Sequence, residues 1–575
     1  MLAGRLTGLS RFHALGVACV LGIFLALTIT GIRWGIPSAR RSAYFYAAPQ
    51  EEARLNPHSQ ALRSLHPDEP QILMAIRNMR PAQWDFNPHS FIYPTLYIYQ
   101  VAAGLQLASK LGILQLVSDK DFYFEHPDQV GIMYLTGRCV TILLGTLTVL
   151  AVYLLGCRAY SRGVGLLAAL MLAVMPLFVE HSHFMTTDVP LTFWMVLSTL
   201  FAVRAFESGR LRWYALAGLA AGLAMATKYN GGIALVGLLV AHWLAAGQQA
   251  ERPRLLRLLF DRRLVVGGLL TLAGFVIGCP YALLSPGELL GGLNTQVIAL
   301  NSTSNEDYEM IFGHYPLPAL FHVYSSLFIG MGVFLWALGM AGVAIGLRRS
   351  PKPVRIILAV LLSHYAVFAF SFLRPARYAI PMLPFLAIVG AGLAAGVFAR
   401  LSRVFRSPWP KTAWGALMAV AMLLTFAASA ACSRGMAGMD NRDLAAEWLI
   451  RNAPRGSSVG MNWPEGYHCV PVNRTTYSQK LIDWDLAQFK AVKPDYFVMT
   501  ELEYREYLRV PDRHPQQTQF VRALLLGSGQ VGDARYRRIW FDHRPSVLGF
   551  GWDHRWAAQD WFYPFPRVVV LKRDE

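Results

Sequence analysis

The stretch WYALAGLAAGLAMATKYNGGIALVGLLVAHWLAA, residues 213–246, decides how the chain is threaded. As one helix of about 34 residues it is overlong for a hydrocarbon core roughly 30 Å thick at ~1.5 Å rise per residue. As two short segments hinged near Lys228, Asn230, Gly231 and Gly232, each half can cross. The next loop chooses between them. It carries Arg252, Arg254, Arg257, Arg262 and Arg263, the densest basic loop, and such loops stay on the cytoplasmic side. A hairpin with Lys228 at its outer tip keeps that loop inside.

Working outward, 54% of the 575 residues are hydrophobic and 15% are charged, a balance suited to lipid rather than water. The formal charge of +18 lies in short clusters between apolar runs, without interleaved base-stacking aromatics. It reads as membrane topology, and nucleic acid is excluded as a partner. The apolar run Phe91 to Val117 carries Pro94, Gln100, Gln106, Ser109 and Lys110. If it spanned, Arg158, Arg162, Arg204, Arg210 and Arg212 would all be outside, so a helix lying at the outer surface is expected. Ala14 to Ile32, behind Arg5 and Arg11, is long and has no clear small-x-small cleavage site, and reads as a retained first span. The predicted spans are 12–32, 131–157, 163–180, 189–207, 213–227, 229–246, 264–284, 318–346, 355–373, 376–398 and 412–432, about eleven in all.

The fold class expected is mainly α: a polytopic transmembrane helical bundle over 1–432, with interfacial helices in a first extracytoplasmic loop at 33–130. A small C-terminal extracytoplasmic α/β domain follows over 433–575. It opens with a helix at Asn441 to Asn452, closed by Pro454 and Gly456, and has β-rich runs at Asp495 to Thr500 and Arg567 to Lys572. Of the six cysteines only Cys469 lies in a polar region, and no disulfide framework or zinc spacing follows.

Ionisable residues are nearly absent from the middles of the spans and gather at their outer ends, which marks an interfacial site rather than a conduction path. Three sets stand out. His66-Pro67-Asp68-Glu69 precedes a short helical pattern at Gln71 to Arg80; ordinary N-capping accounts for its acids as well as catalysis does. Glu180 to Pro190 includes His181, His183 and Asp188. Asp188 again suits a cap, and the two histidines bind metal only if further ligands arrive from elsewhere. The third set is cationic: Lys228 at the hairpin tip, with Arg374 and Arg377 in Phe372 to Tyr378. Those arginines are three apart and can share a helical face suited to clasping one phosphate, or can snorkel to lipid phosphates. Arg138 lies about two turns into a span.

At these residues the sequence resembles the C-type polytopic glycosyltransferases, specifically the branch with protein O-mannosyltransferases and the bacterial lipid A aminoarabinose transferase. The matching residues are His66-Pro67-Asp68-Glu69, Tyr93-Pro94-Thr95-Leu96, Arg138, Asp188-Val189-Pro190-Leu191, Ala226-Thr227-Lys228-Tyr229 and Arg377-Tyr378-Ala379-Ile380-Pro381. The resemblance implies a polyprenyl-phosphate sugar donor and inverting transfer to a protein, lipid or glycan acceptor at the outer face. It implies Asp68 as the base, with Glu69 beside it and Asp188 a second acid. His66, Tyr93, Arg138, Lys228, Arg377 and Tyr378 then face substrate, with Lys228 and Arg377 on the lipid phosphate; Arg374 is added from its spacing. The aminoarabinose transferase has a lysine where this chain has Tyr93, so the phosphate meets one cation fewer and that particular substrate is disfavoured.

The chemistry agrees with the residues. Attack by a hydroxyl or amine at an anomeric carbon needs a carboxylate to take a proton and fixed cations to stabilise the departing phosphate. No cofactor is required by the pattern, while a divalent metal stays open. The loop 285–317, with Asn301 to Tyr308 and Gly313 to Pro316, suits a lid over the acceptor or a plain connector. A transporter of a lipid or glycan is the alternative from another class, but it favours ionisable groups or broken helices near the bilayer midplane. A scaffold displaying the terminal domain would tolerate loss of Asp68, Lys228 and Arg377. The family likeness points to a bacterial plasma membrane, whereas glycans at the outward sequons Asn301-Ser-Thr and Asn473-Arg-Thr would point to an endoplasmic reticulum.

Overall fold

The structure is a computed structural model and describes residues 11–248, 259–301, 315, 317–463, 465–547, 550–551 and 557–574. Apolar runs become helices because lipid offers no partner to backbone N–H and C=O groups, which a helix satisfies within itself. In chain order they are α1 (Arg11–Ile29), α2 (Glu69–Asn78), α3 (Leu96–Lys110), α4 (Pro127–Ala159), α5 (Arg162–Ala173), α6 (Pro176–His181), α7 (Asp188–Ser208) and α8 (Leu211–Thr227). They continue as α9 (Leu235–Ala246), α10 (Arg262–Gly278), α11 (Pro286–Asn301), α12 (Val333–Arg348), α13 (Lys352–Ala369), α14 (Leu383–Val404) and α15 (Trp409–Ala437). The chain is an integral membrane protein. Among the described residues six helical stretches are long and apolar enough to cross a membrane: Pro127–Ala159, Asp188–Ser208, Tyr229–Ala246, Lys352–Ala369, Ala376–Val404 and Trp409–Asn452. The other predicted spans appear as shorter or interrupted helices. Exposed Leu143, Leu269, Leu272, Ile277 and Leu423 give these helices the apolar outer surface that lipid requires.

The helix predicted to break at residue 228 does break there. Lys228 is extended (φ −152°, ψ 135°), and a 3-10 turn over Tyr229–Ala234 leads into α9. On the near side of the break, α8 packs against α10 along glycines. A Cβ added at Gly218 would sit 1.9 Å from the carbonyl oxygen of Gly267, and one at Gly222 would sit 2.1 Å from that of Thr271. Small residues let the two backbones touch, the usual basis of helix association in lipid.

Three predicted spans differ in form. The segment 318–346 is not one helix: a π-helical turn over His322–Leu327 and a turn over Phe328–Met331 end at Gly332, whose φ of +76° no continuous helix allows, and α12 starts afresh. The segment 163–180 is interrupted before Pro176, and 264–284 ends at Gly278 just before Pro280; proline lacks the N–H that a helix interior needs. The helix α3 has 15 residues and rises only about 22 Å, short of a hydrocarbon core of about 30 Å. It is anchored by Thr95 Oγ1 donating to Gly278 O (2.8 Å).

Beyond α15 come α16 (Asn441–Asn452), α17 (Leu486–Val492), α18 (Glu501–Arg509), α19 (Pro515–Val521) and strands β1 (Ser458–Met461), β2 (Ser478–Leu481), β3 (Tyr496–Thr500), β4 (Gln530–Val531), β5 (Ala534–Phe541), β6 (Ser546–Val547), β7 (Phe550–Gly551) and β8 (Val568–Arg573). A mixed sheet runs β2-β1-β3-β8-β5-β4, parallel from β2 to β3 and antiparallel after it, while β6 and β7 form a separate ribbon. Alternation along β3 and β8 serves two cores. Tyr496, Val498, Val568 and Val570 face α16 and first-loop residues Tyr44, Phe45, Tyr46 and Phe124, while Phe497, Met499, Val569 and Leu571 face Phe489, Tyr507 and Phe520. Ala557, Ala558, Trp561, Phe562 and Tyr563 pack into the core of the helical bundle itself.

Candidate active site

Two acid–cation pairs form the centre. Asp68 stands at the start of α2 without capping it, and its Oδ2 lies 3.0 Å from Nη2 of Arg377. Asp188, in the first turn of α7, accepts a hydrogen bond from Lys228 Nζ at 2.7 Å. Both acids are thus turned away from the capping work that would have explained them. The Lys228 ammonium lies 4.7 Å from the Tyr378 ring centroid and 5.9 Å from that of Tyr93, rings that favour a desolvated cation. Burial raises the Tyr93 phenol well above its usual range, and the Asp68 carboxylate adds to this.

Glu69 and Arg138 take a different place from the one expected of substrate-facing groups. Both side chains are fully buried. Arg138 Nε and Nη2 donate to Glu69 Oε1 and Oε2 at 2.8 and 2.7 Å, and its Nη1 donates to the carbonyls of Ile32 and Trp34. Met185 N also donates to Glu69 Oε1. Burial pushes the Glu69 carboxyl up, but Arg138 outweighs it and holds the group below its usual range. This bidentate pair ties together the first loop, α4 and the α6–α7 connection directly behind Asp68.

His66 is 0% exposed; its Nδ1 accepts from the Asp68 backbone N–H at 3.2 Å. Burial holds its pKa well below the usual value, so the ring is neutral and its proton sits on Nε2. The imidazole packs against Phe184, His181 and Tyr563. His183 does not join a metal pair with His181: its two ring nitrogens lie 2.8 Å from the carbonyls of Val179 and Thr30. Among the described residues no group of three or more His, Cys, Asp or Glu is arranged to hold a metal ion.

The expected helical face shared by Arg374 and Arg377 is not formed. Pro375 biases its predecessor to extended backbone, so the helical segment Ala376–Met382 begins after Arg374. Arg377 is left facing Asp68, while Arg374 lies near Tyr324 and Tyr315 electrostatically, and burial lowers its pKa. The proposed lid residues 302–314 and 316, and Arg252, Arg254 and Arg257, lie outside the described residues. Asn473 is 6% exposed and donates its amide to Ala43 O, which shields that sequon in the folded chain.

One acid was missed from sequence. Asp560, in the 3-10 turn Gln559–Phe562, accepts from the backbone N–H of Ala376 (Oδ1, 2.9 Å) and of Arg377 (Oδ2, 3.1 Å). Its Oδ2 also lies 3.5 Å from Arg377 Nη1. The signal available was an aspartate heading the aromatic run Trp561-Phe-Tyr-Pro-Phe-Pro566 in an otherwise polar domain.

Fold and site together define a polytopic helical membrane protein that resembles the C-type glycosyltransferases. Residues 133–277 match the family model described as dolichyl-phosphate-mannose-protein mannosyltransferase, a stretch holding Arg138, Asp188 and Lys228. Similar solved structures include ArnT from Cupriavidus metallidurans bound to undecaprenyl phosphate, at 14% identity, a TM-score of 0.47 and coverage of 87% of this chain and 94% of that one. Another is the archaeal oligosaccharyltransferase AglB from Archaeoglobus fulgidus in complex with an inhibitory peptide and a dolichol-phosphate. It is 14% identical, with a TM-score of 0.45, and covers 89% of this chain and 72% of that one. No curated protein matches the chain in sequence.

Proposed function

We propose that the chain is a membrane glycosyltransferase that moves a sugar from a polyprenyl-phosphate donor to an acceptor at the extracytoplasmic face, with inversion. The observation that carries this reading is the meeting of Asp68 with Arg377 beside Asp188 with Lys228, drawn from four separate stretches of chain. Arg377 and Lys228 take the donor phosphate, and Tyr93 and Tyr378 flank the ammonium. Asp68 then accepts the proton of the acceptor hydroxyl or amine as that atom bonds to the anomeric carbon. The anomeric C–O bond breaks with its electron pair going to the phosphate, whose charge the two cations stabilise. Asp188 is the second acid, His66 fixes the Asp68 backbone, and the Glu69–Arg138 pair positions the acid rather than meeting substrate. The acceptor class is protein, lipid or glycan.

This reading uses about eleven spans, the hairpin tip at Lys228 facing out, and residues 433–575 as an extracytoplasmic unit on a bacterial plasma membrane. The test is turnover of radiolabelled polyprenyl-phosphate sugars by the detergent-purified chain with candidate membrane acceptors, wild type against Asp68→Asn. A loss of about 10²-fold or more is expected when the base is removed. Equal turnover would take Asp68 out of the mechanism.

A further inference from the structure

We infer that Asp560, from the C-terminal unit, is a positioning residue of the transfer site, setting where the Arg377 guanidinium stands between Asp68 and the donor phosphate. The inference rests on the proposed reading of Arg377 as a phosphate cation. Asp560 is 2% exposed and grips Arg377 twice, at the backbone N–H and at the guanidinium, while also holding Ala376 N–H. Pro375 at the N-cap has no side-chain acceptor to offer, so Asp560 caps the turn that delivers Arg377. The guanidinium is shared between Asp68 at 3.0 Å and Asp560 at 3.5 Å. Without the second carboxylate it has one carboxylate partner left among the described residues, Asp68, and closes on it. That pairing ties up both the base and the cation.

The neighbourhood restricts how far Arg377 can move. Trp561, Phe562 and Tyr563 are buried in the bundle core next to Asp560. The Tyr563 ring stands edge-on to His66 with centroids 5.5 Å apart, so the same short turn touches both sides of the Asp68–Arg377 pair. Desolvation raises the Asp560 carboxyl, opposed by Arg377 and the two backbone N–H groups that face it. The C-terminal unit is therefore part of the site wall rather than an appended module.

The experiment measures binding of sugar-free undecaprenyl monophosphate to the full chain in detergent, with undecaprenol as the control lacking phosphate. Asp560→Asn keeps the shape and loses the charge; Asp560→Ser, which still accepts from one N–H, serves if the first variant does not give monodisperse protein. Each is expected to bind the phosphate at least fivefold more weakly, with undecaprenol unaffected. In turnover, the KM for the donor rises while the KM for the acceptor stays within twofold. In an Arg377→Ala background, Asp560→Asn adds less than a twofold further loss, because its effect runs through Arg377; a merely structural role makes the two losses multiply. Wild-type affinity in both Asp560 variants alongside weakened binding by Arg377→Ala overturns the inference alone. Unchanged binding by Arg377→Ala overturns the phosphate reading, and the role of Asp560 with it.

Discussion

At the scale of single residues, the most exacting constraint is the Glu69–Arg138 pair. Two charges removed from water are tolerable only while each satisfies the other, and cutting one partner of a buried pair costs about 3–5 kcal/mol. Arg138→Ala is therefore expected to lower the thermal midpoint of the detergent-purified chain sharply, and Arg138→Met with Glu69→Leu less so. A double variant no more stable than the single would contradict the pairing. Lys228→Met leaves Asp188 buried without its ammonium. Its expected result is loss of donor turnover of about 10²-fold or more, the scale of removing one electrostatic donor, seen in single-turnover rates.

Individual elements are governed by close backbone approach and by caps. Gly218 on α8 lies against the Gly267 carbonyl, so Gly218→Leu must push α8 from α10. The expected outcome is aggregation on size exclusion, with Gly268→Leu as the matched control, since nothing lies within 4 Å of a Cβ there. At the start of α18, Glu503 accepts from Thr500 N at 2.7 Å, and burial pushes its carboxyl up to about 8, against 4.5 when free. Between those values the folded chain keeps a proton that the unfolded chain gives up. Stability from this group is full below about 4.5 and is lost as pH rises towards about 8. Glu503→Gln keeps the acceptor and removes the titration, so its melting temperature relative to wild type should rise between pH 5.5 and 7.5. An identical difference at both pH values would refute the assignment. Helix interruptions show the limit of hydropathy: 318–346 is mostly apolar, yet Gly332 breaks it through a positive φ that apolar periodicity does not register.

Across the whole molecule, the sequence disclosed what repeats locally and withheld what depends on distant contact. Apolar run length foretold many of the helices, and basic-loop parity the break at Lys228. Asp188, Lys228 and Arg377 stood out because each sits at the end of an apolar run where a charge needs a reason, and Asp68 because of its place in His66-Pro67-Asp68-Glu69. Asp560 was not, because a segment some 180 residues further along is brought to Arg377 by aromatic packing, and no spacing encodes that meeting. The shared core of Tyr44, Phe45, Tyr46 and Phe124 with α16 and the sheet has the same origin. Removing residues 438–575 is expected to expose the first loop to protease and to abolish undecaprenyl monophosphate binding; full binding by the truncated chain would show the two parts to be independent. The two ion pairs also have a consequence for traffic at the site. Each cation already faces a carboxylate, so the centre offers little pull on anions drifting in bulk water. On the proposed reading, a lipid headgroup arriving along the leaflet, held at high local concentration by its own tail, is expected to exchange with those carboxylates where dissolved phosphate does not.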